Sequence, residues 1–526
     1  MVDTSIDVVP GPADPATHAL STDAPPAAPP ARRRTDTGAG LPGGSDGSAS
    51  ALSWERAVSL FLAGLVALAA AGPISDNSLL THIATGRLQA SGGLPDSNPF
   101  LRTSSDFPVP SWWWSGLLGW AERIGGLGAV RLLTVAVAAL LGWLVVRACR
   151  THDVPGSPSA NPLVQALPAA VVLVLLFPSL NARPHLVGFL LLTVALVVWR
   201  ERRSPWWLVP VFVVWVNVHG TWLYGAVVLG VLWLAEMLDD RQPHLERLRW
   251  AGTALGGLLL GGLFYPERFR LVLLPTEQLG SSAARSAIGQ YEEWRPISPG
   301  SPVLWVFALV ALLALYGALR SRGDSRVRWG SVAAVVLLAA MGASAYRLLP
   351  IAAISLGAFA AMGIARLSEL PIPPRVIGRM LGALGVAAIL AACVGASLGP
   401  HTDLSRYPVE EVDWLQERGL VADPDVVLLH NDWVGNYLEF RYGDQANAWV
   451  DDRPSVETLL DYVTLRHTDE GWQEALERAD PDVVLWQAED PLPDALIDTG
   501  GWSEALTTDD FRVLCRATFA ERCLRG

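Results

Sequence analysis

Long apolar segments recur along most of this chain, and they constrain its fold more than any other feature. Between Trp54 and Leu398, runs of about 18 to 22 mainly apolar residues alternate with short polar stretches, and about 20 such residues form a helix that crosses a bilayer. Backbone groups in a bilayer must bond within the chain, which restricts these segments to helices. Only 17% of the residues are charged, against about 25% in soluble domains. We therefore predict an α-helical polytopic membrane protein.

The apolar segments predict about eleven transmembrane helices. The predicted spans are 54–73, 126–148, 162–179, 185–200, 206–219, 221–239, 249–266, 302–320, 329–346, 348–366 and 378–398.

Arginines indicate which ends of these helices face the cytoplasm, because positively charged loops remain on that side. They cluster in alternate loops, at Arg147/Arg150, 200–203, 241–249, 320–328 and 366–379. This pattern predicts a plasma-membrane protein with a cytoplasmic N-terminus. The opposite loops and everything after residue 399 are then extracytoplasmic.

Composition divides the chain into three predicted regions. Residues 1–50 have too few apolar side chains for a core and predict a disordered cytoplasmic tail. Residues 51–399 are the predicted transmembrane domain, and 74–125 within it is a first exported loop with interfacial helices, whose tryptophans suit the headgroup zone. Residues 400–526 predict an extracytoplasmic α/β domain, long enough to bury an independent core.

Short apolar runs alternate with helical patterns in this C-terminal domain, which favours a parallel sheet. The predicted strands are 426–430, 446–450, 482–486 and 511–515. Cys515 and Cys523 could form a disulfide if the domain is exported.

Ionisable residues at the extracytoplasmic ends of the spans are the candidate functional residues, because charge is costly at a bilayer. Asp76 follows the first span closely and is a candidate general base, although SDNSLL is also a good helix start with Asp76 as its N-cap. The other candidates in these loops are His82, Arg87, Arg183, His185, Asn217, His219, Glu267, Arg268, Arg270, Glu292, Glu293 and Arg347.

Arg183 and Arg347 indicate an anionic ligand. Guanidinium groups match phosphate oxygens bidentately, so arginines at headgroup depth predict a lipid phosphate or diphosphate. Contact with anionic membrane lipids without catalysis is the alternative. His82, His185 and His219 leave a divalent metal open, but none has the i, i+4 spacing of helical ligands, and we assign no metal site and no cofactor.

Other function classes lack their signatures in this chain. There is no Walker loop and no CxxC pair, and no basic tract interleaved with aromatics that would bind nucleic acid. The sequence therefore predicts neither an ATPase, nor an oxidoreductase, nor a partner of nucleic acid.

Five membrane-domain segments resemble a bacterial family of polytopic proteins related to GT-C glycosyltransferases. They are ISDNSLLTHIATGRLQASGGLPDSNPF, LFPSLNARPHLVGF, WVNVHGTWLYG, IGQYEEW and YRLLP. The tail segment HNDWVGNYLEFRYGDQANAWVDDRPSVETLLDY is similar to that family's exported domain. The resemblance covers residues 54 to 516 and implies a GT-C-like membrane domain.

The resemblance also implies an activity, the transfer of a sugar from a polyprenyl-phosphate donor to a glycan or lipid acceptor of the cell envelope. Asp76 matches the family's acidic residue in the first exported loop and would be the base. Asn98 stands where the family commonly has an aspartate, with Asp96 two residues earlier, so the working carboxylate is Asp76 or Asp96. The substrate-binding residues would be His82, Arg87, Arg183, His185, Asn217, His219 and Arg347.

Two other functions stay open at this point. A transporter or flippase for a lipid-linked or anionic solute would use the same arginines without chemistry, and would often contain paired repeats, which this sequence lacks. A non-catalytic envelope assembly protein would instead recruit a partner through Asp451-Asp452-Arg453 and the acidic tail.

Overall fold

A computed structural model describes residues 46–103, 106–150, 162–240, 245–274, 282, 289, 292–320, 327–367, 374–421 and 423–524. The predicted disordered tail lies outside these residues, except for 46–50, which belong to the first helix.

The described residues before the C-terminal domain are almost entirely helical. The helices are α1 Asp46–Ala70, α2 Asn77–Gly92, α3 Trp112–Ala148, α4 Pro162–Leu176, α5 Pro184–Arg200, α6 Leu208–Val218, α7 Trp222–Asp240, α8 Leu245–Gly262, α9 Pro302–Leu319, α10 Trp329–Ser344, α11 Leu349–Leu367 and α12 Arg375–Leu398. Each predicted span overlaps one of them.

Five helical segments of the described chain are long and apolar enough to cross a membrane, and this is a membrane protein. They are Trp112–Ala148, Trp222–Asp239, Pro302–Leu319, Tyr346–Leu367 and Arg375–Leu398. Shorter apolar helices accompany them. The number of eleven spans and their orientation stay predictions.

Small residues let the helices of the bundle approach closely. A Cβ atom on Gly317 of α9 would lie 2.1 Å from the carbonyl oxygen of Phe359, and one on Gly363 of α11 would lie 2.1 Å from that of Leu313. Because apolar side chains gain little by leaving lipid, such close backbone packing is a main source of helix association in membranes.

Arginines from the loops predicted to be cytoplasmic meet around acidic partners. Glu201 accepts hydrogen bonds from Arg147 at 2.5 Å and Arg203 at 3.0 Å, and Arg150 pairs with both Glu201 and Glu55. The end of α3, the chain just after α5 and the part of α1 around Glu55 therefore lie at one end of the bundle.

The interfacial helix predicted before the second span is the first part of α3. Gly125 and Gly126 interrupt the helix, and Gly126 has a φ of 65°, a conformation that favours glycine. That Trp112, Trp113, Trp114 and Trp120 suit the headgroup zone stays a prediction. Trp114 packs within the protein, since it is 2% exposed and donates to the carbonyl oxygen of Ala182 at 2.6 Å. Trp120 is the tryptophan of this helix that is widely exposed.

The C-terminal domain contains a four-stranded sheet flanked by helices. Its elements are α13 Val409–Glu417, β1 Leu428–His430, α14 Asp432–Tyr442, α15 Val456–His467, α16 Trp472–Ala479, β2 Val483–Gln487, α17 Leu492–Asp498, β3 Trp502–Thr507, β4 Phe511–Arg516 and α18 Ala520–Leu524. The strand order is β1-β2-β4-β3, and Cys515 is bonded to Cys523.

The predicted parallel sheet is wrong in part. The strands β1 and β2 are parallel, but β4 runs antiparallel to both β2 and β3, because only a short turn joins β3 to β4. The predicted strand at 446–450 is absent from the sheet. Its Ala448 pairs instead with the first exported loop, exchanging backbone hydrogen bonds with Phe100 and Arg102 at 2.9 and 2.8 Å.

The C-terminal domain buries one hydrophobic core of its own and shares a second with the first exported loop. One cluster joins Leu80 and Ile83 of α2 and Leu118 of α3 to Tyr437 and Leu438 of α14. The loop and the C-terminal domain therefore pack as one body, and this body positions the N-terminal turn of α2.

Candidate active site

Asp76 is the N-cap of α2 and also the partner of an arginine from the NARPH turn. Its Oδ1 accepts from the backbone N–H of Leu79 at 3.1 Å and from Nε of Arg183 at 2.5 Å, and its Oδ2 accepts from Nδ2 of Asn181 at 3.3 Å. The two interpretations of Asp76, cap and functional carboxylate, are therefore compatible. Both of its oxygens are engaged by the protein.

Arg183 contacts three polar residues, two of them at the start of α2. Besides Asp76, its guanidinium donates to Oδ1 of Asn77 at 3.0 Å and lies 3.9 Å from Glu293. Pro184 is the first residue of α5, and its fixed φ starts this helix directly after Arg183. The arginine is thus aimed at the start of α2.

Glu293 brings the second arginine to the same place. Its carboxylate pairs with Arg347, from the turn before α11, and is within ion-pair distance of Arg183. Arg347 also lies 5.1 Å from the ring of Trp294. Two guanidinium groups from distant parts of the chain therefore converge on one half-exposed carboxylate, which is the charge arrangement of an anion site.

His219 adds a third donor beside Arg347. The Nδ1 of His219 accepts from the backbone N–H of Thr221 at 3.2 Å, so the neutral ring carries its proton on Nε2. That atom lies 3.5 Å from Nη2 of Arg347. Two donors that face each other are satisfied by an acceptor placed between them, and a phosphate oxygen would serve both.

The other two histidines border this cluster. The ring of His185 lies 6.2 Å from that of His219, and its Nε2 contacts the carbonyl oxygen of Ser179 at 3.0 Å. The Nδ1 of His82 contacts the hydroxyl of Ser115 at 3.0 Å. Burial, together with the positive charges of Arg453 and Arg183, lowers the pKa of His82 to about 3, which leaves it neutral at physiological pH.

A third carboxylate reaches the N-terminal turn of α2 from the C-terminal domain. The hydroxyl of Ser78, two residues after Asp76, donates to Oδ2 of Asp452 at 2.7 Å. The charges of Asp452 and Arg183 are close enough to influence each other. Burial, with the negative charge of Asp451, raises the pKa of Asp452 to about 6 against the opposing effect of Arg453.

Hydroxyl groups on one face of α2 continue this contact. Thr81 donates to Glu439, and Thr85 accepts from Arg453 at 3.1 Å. With Ser78 they follow an i, i+3, i+7 pattern, which places them on one helix face. This face of α2 contacts the C-terminal domain, while its N-cap, Asp76, contacts Arg183 of the arginine cluster.

Three of the residues predicted for the site are placed elsewhere by the structure. Arg87 lies about three helical turns beyond Asp76, where it pairs with Glu122 at 2.6 Å and donates to the carbonyl of Phe440. Asn217 is fully buried and satisfied, accepting from Trp112 at 2.8 Å and donating to two backbone carbonyls. Asp96 is exposed in the turn after α2 and has no side-chain partner among the described residues.

The described residues contain no group of three or more His, Cys, Asp or Glu side chains placed to hold a metal ion. His82, His185 and His219 lie near one another without forming such a group.

The comparisons with known proteins found similar chains among the solved structures only. No known protein family matches the sequence, and no curated protein matches it. The chain is similar to the arabinofuranosyltransferase AftD from mycobacteria, with a TM-score of 0.47 and 13% identity over 88% of this chain. It spans 40% of the length of that protein.

Sequence reasoning missed how much of the site the C-terminal domain supplies. The Asp451-Asp452-Arg453 run was visible, but only as a surface for a partner protein. The hydroxyls at 78, 81 and 85 are a detectable signal, because a stripe of small polar residues on an interfacial helix needs a polar partner.

Proposed function

We propose that this protein is an integral membrane glycosyltransferase that moves a sugar from a polyprenyl-phosphate donor to a glycan or lipid acceptor on the extracytoplasmic face. One observation carries the proposal. Arg183 and Arg347 converge on Glu293 beside the Asp76–Arg183 ion pair, which combines a cationic phosphate site with carboxylates close to it.

The arginine cluster suits the leaving group of this reaction. The acceptor hydroxyl attacks the anomeric carbon, the bond between that carbon and the phosphate oxygen breaks, and the electron pair stays on the polyprenyl phosphate. Arg183, Arg347 and the Nε2–H of His219 are donors for the charge that develops there, and preorganised donors of this kind commonly contribute a large part of catalysis. The proton of the acceptor hydroxyl passes to a carboxylate.

Asp76 has two functions in this scheme. Its contacts fix the position of Arg183, and the family resemblance alone suggests it as a candidate for the base. Substitution of Asp76 by Asn is therefore expected to reduce both donor binding and turnover.

Binding of a polyprenyl monophosphate to the purified full chain tests the anion site. We expect Arg183→Ala and Arg347→Ala each to weaken binding about tenfold or more, since charged hydrogen bonds contribute about 1.5 to 3 kcal/mol. Arg202→Ala is the matched control, because Arg202 pairs with Glu236 outside the cluster. Equal binding by wild type, both cluster variants and the control would remove the basis for the proposal.

A turnover assay separates the enzyme from the transporter. With polyprenyl-phosphate sugars in detergent and a glycan acceptor, an enzyme forms a new glycoside and releases polyprenyl phosphate. Arginine-dependent binding and vesicle flipping without glycoside formation would support the transporter instead.

A further inference from the structure

The C-terminal domain places one carboxylate at the N-terminal turn of α2 that the protein satisfies only in part. Within the Asp451–Arg453 run, Asp451 and Arg453 are fully used by the protein, but Asp452 is not. This difference separates a structural pair from a group available for chemistry.

Asp451 and Arg453 hold the domain against the first exported loop. Asp451 accepts from Nδ2 of Asn98 at 3.1 Å and from the backbone N–H of Arg453 at 2.8 Å. Arg453 bonds Glu439 at 3.0 Å and lies 4.8 Å from the ring of Phe107. Removing Arg453 would leave the buried carboxylates of Asp451 and Glu439 without this cation.

Asp452 has fewer partners. Its Oδ2 accepts from the Ser78 hydroxyl. Its Oδ1 is buried and makes no hydrogen bond, and Nε of Arg453 lies 3.6 Å from it. Its side chain remains 22% exposed. A half-satisfied carboxylate beside an anion site is unusual unless another donor completes it.

We propose that Asp452 is a catalytic carboxylate that binds the acceptor hydroxyl and takes its proton. The inference rests on the proposed function. It adds that the acceptor binds between the first turn of α2 and the Asp451–Arg453 run, with the donor phosphate at Arg183 and Arg347. The Ser78 hydroxyl already donates to this carboxylate, so a sugar hydroxyl there would make the same kind of bond.

The charges around Asp452 fit a proton acceptor at neutral pH. Burial and Asp451 raise its pKa to about 6, while Arg453, Arg183 and the Ser78 hydrogen bond oppose this rise. A carboxylate with such a pKa is ionised at pH 7 and accepts a proton more readily than an ordinary aspartate. In contrast, both oxygens of Asp76 are occupied by Arg183, Asn181 and the backbone of α2.

Two substitutions distinguish a catalytic role of Asp452 from a role in anchoring α2. Asp452→Asn can still accept from Ser78 but cannot take a proton, and we expect kcat to fall about 100-fold or more while polyprenyl-phosphate binding stays within about twofold. Ser78→Ala removes the anchor but keeps the carboxylate, and should lower kcat less than about tenfold. Asp461→Asn is the matched control, because Asp461 pairs with Arg478 elsewhere in this domain.

The pH profile gives a second readout. For wild type, kcat should rise with pH through about 6 as Asp452 loses its proton, and this limb should be absent from Asp452→Asn. If Asp452→Asn keeps kcat within about threefold, or if Ser78→Ala loses as much as Asp452→Asn, Asp452 is an anchor and the assignment is wrong.

A labelling experiment needs no turnover. Dicyclohexylcarbodiimide reacts with protonated carboxyl groups, so labelling of the Asp452 peptide in the full chain should increase as pH falls through about 6. Absence of such labelling between pH 5 and 8 would overturn the assignment. A wild type that labels in this way but transfers no sugar and binds no polyprenyl phosphate would instead overturn the proposed function, and the catalytic role of Asp452 with it.

Discussion

Among the single residues, Glu293 has a conflicting position. Its carboxylate occupies the place where we propose that the donor phosphate binds. Its carboxylate pairs with Arg347 and lies 3.9 Å from Arg183, so a phosphate has to displace it. A half-exposed ion pair of this kind contributes up to about 1 kcal/mol. The internal carboxylate therefore competes weakly with the ligand.

Replacing Glu293 by Gln should relieve this competition. We expect polyprenyl monophosphate to bind about two- to fivefold more tightly to Glu293→Gln, measured on the purified full chain at constant ionic strength. Glu236→Gln, which affects the pair with Arg202, should leave the affinity unchanged. Weaker binding to Glu293→Gln would mean that this carboxylate positions the arginines rather than competing with the ligand.

The lowered pKa of His82 predicts that acid destabilises the folded protein. Its pKa in the folded chain is about 3, against 6.5 for an unperturbed histidine. The unfolded chain therefore takes up a proton first, so the contribution of neutral His82 to stability is complete above pH 6.5 and is lost as the pH falls toward 3.

We expect this loss to depend on the imidazole. Between pH 6.5 and 4.5, the thermal midpoint of wild type in detergent should fall more steeply than that of His82→Gln. Parallel curves for the two proteins would show that His82 has an ordinary pKa in the folded chain.

At the scale of helices, α2 is fixed on one side by direct backbone contact with α3. A Cβ atom on Gly86 would lie 2.1 Å from the carbonyl oxygen of Ser115, and one on Gly119 would lie 2.1 Å from the backbone of Gly86. This contact requires glycine on both helices.

Gly86→Ala should separate the two helices and destabilise the fold by about 1 to 3 kcal/mol, the usual cost of overpacking. Gly92→Ala in the same helix is the control, since a Cβ there meets nothing within 4 Å, and its effect should be neutral or slightly stabilising. Equal midpoints for both variants in thermal unfolding would contradict the close packing.

The other side of α2 is fixed by Arg453. Arg453→Ala leaves Glu439 and Asp451 as buried carboxylates without a cation, and loss of one partner of a buried pair costs about 3 to 5 kcal/mol. Arg478→Ala, which affects the exposed pair with Asp461, should cost about 1 kcal/mol or less. If both variants unfold at the same temperature, the Arg453 cluster contributes no more than a surface pair.

Helices of the membrane domain were predictable from the sequence because length and hydropathy encode them locally. The N-cap role of Asp76 was predictable for the same reason, as SDNSLL contains the whole signal. The strand predicted at 446–450 failed because its partner, the chain around Phe100, is over three hundred residues away. Local β-propensity does not distinguish a sheet partner from a loop partner.

The site residues were likewise predictable where a sequence pattern carried the information, and not where tertiary contacts decided. Arg183, Arg347 and His219 could be grouped because the arginine pattern put their loops on one side of the membrane. Arg87 and Asn217 belong to the same loops, but their side chains are used by Glu122 and by Trp112. Which polar side chains are already satisfied depends on tertiary contacts, and the sequence does not encode these locally.

At the scale of the whole molecule, the membrane domain depends on the C-terminal domain. The first exported loop shares a core with the C-terminal domain, and Arg87 of α2 donates to the carbonyl of Phe440. A chain that ends at Gly399 therefore loses the partners that the C-terminal domain gives α2, but keeps its contacts with α3 and Arg183.

Limited proteolysis of this truncated chain tests the dependence. We expect trypsin to cleave after Arg87 in the truncated protein under conditions where the full chain stays intact at this bond. The reason is that α2 opens more often without its contacts to the C-terminal domain. Equal protection in both proteins would show that α2 is held by the membrane domain alone.

The contact between Ser78 and Asp452 joins residues 374 positions apart in the chain. A ribosome that adds about 5 to 20 residues per second needs roughly 20 to 75 seconds between the two. Throughout that interval the buried threonines of α2 have no protein partner for their hydroxyls. The helix capped by Asp76 is thus among the earliest segments made and among the last to gain all its partners, so an unfinished chain can carry the arginine cluster but has no Asp452 beside it.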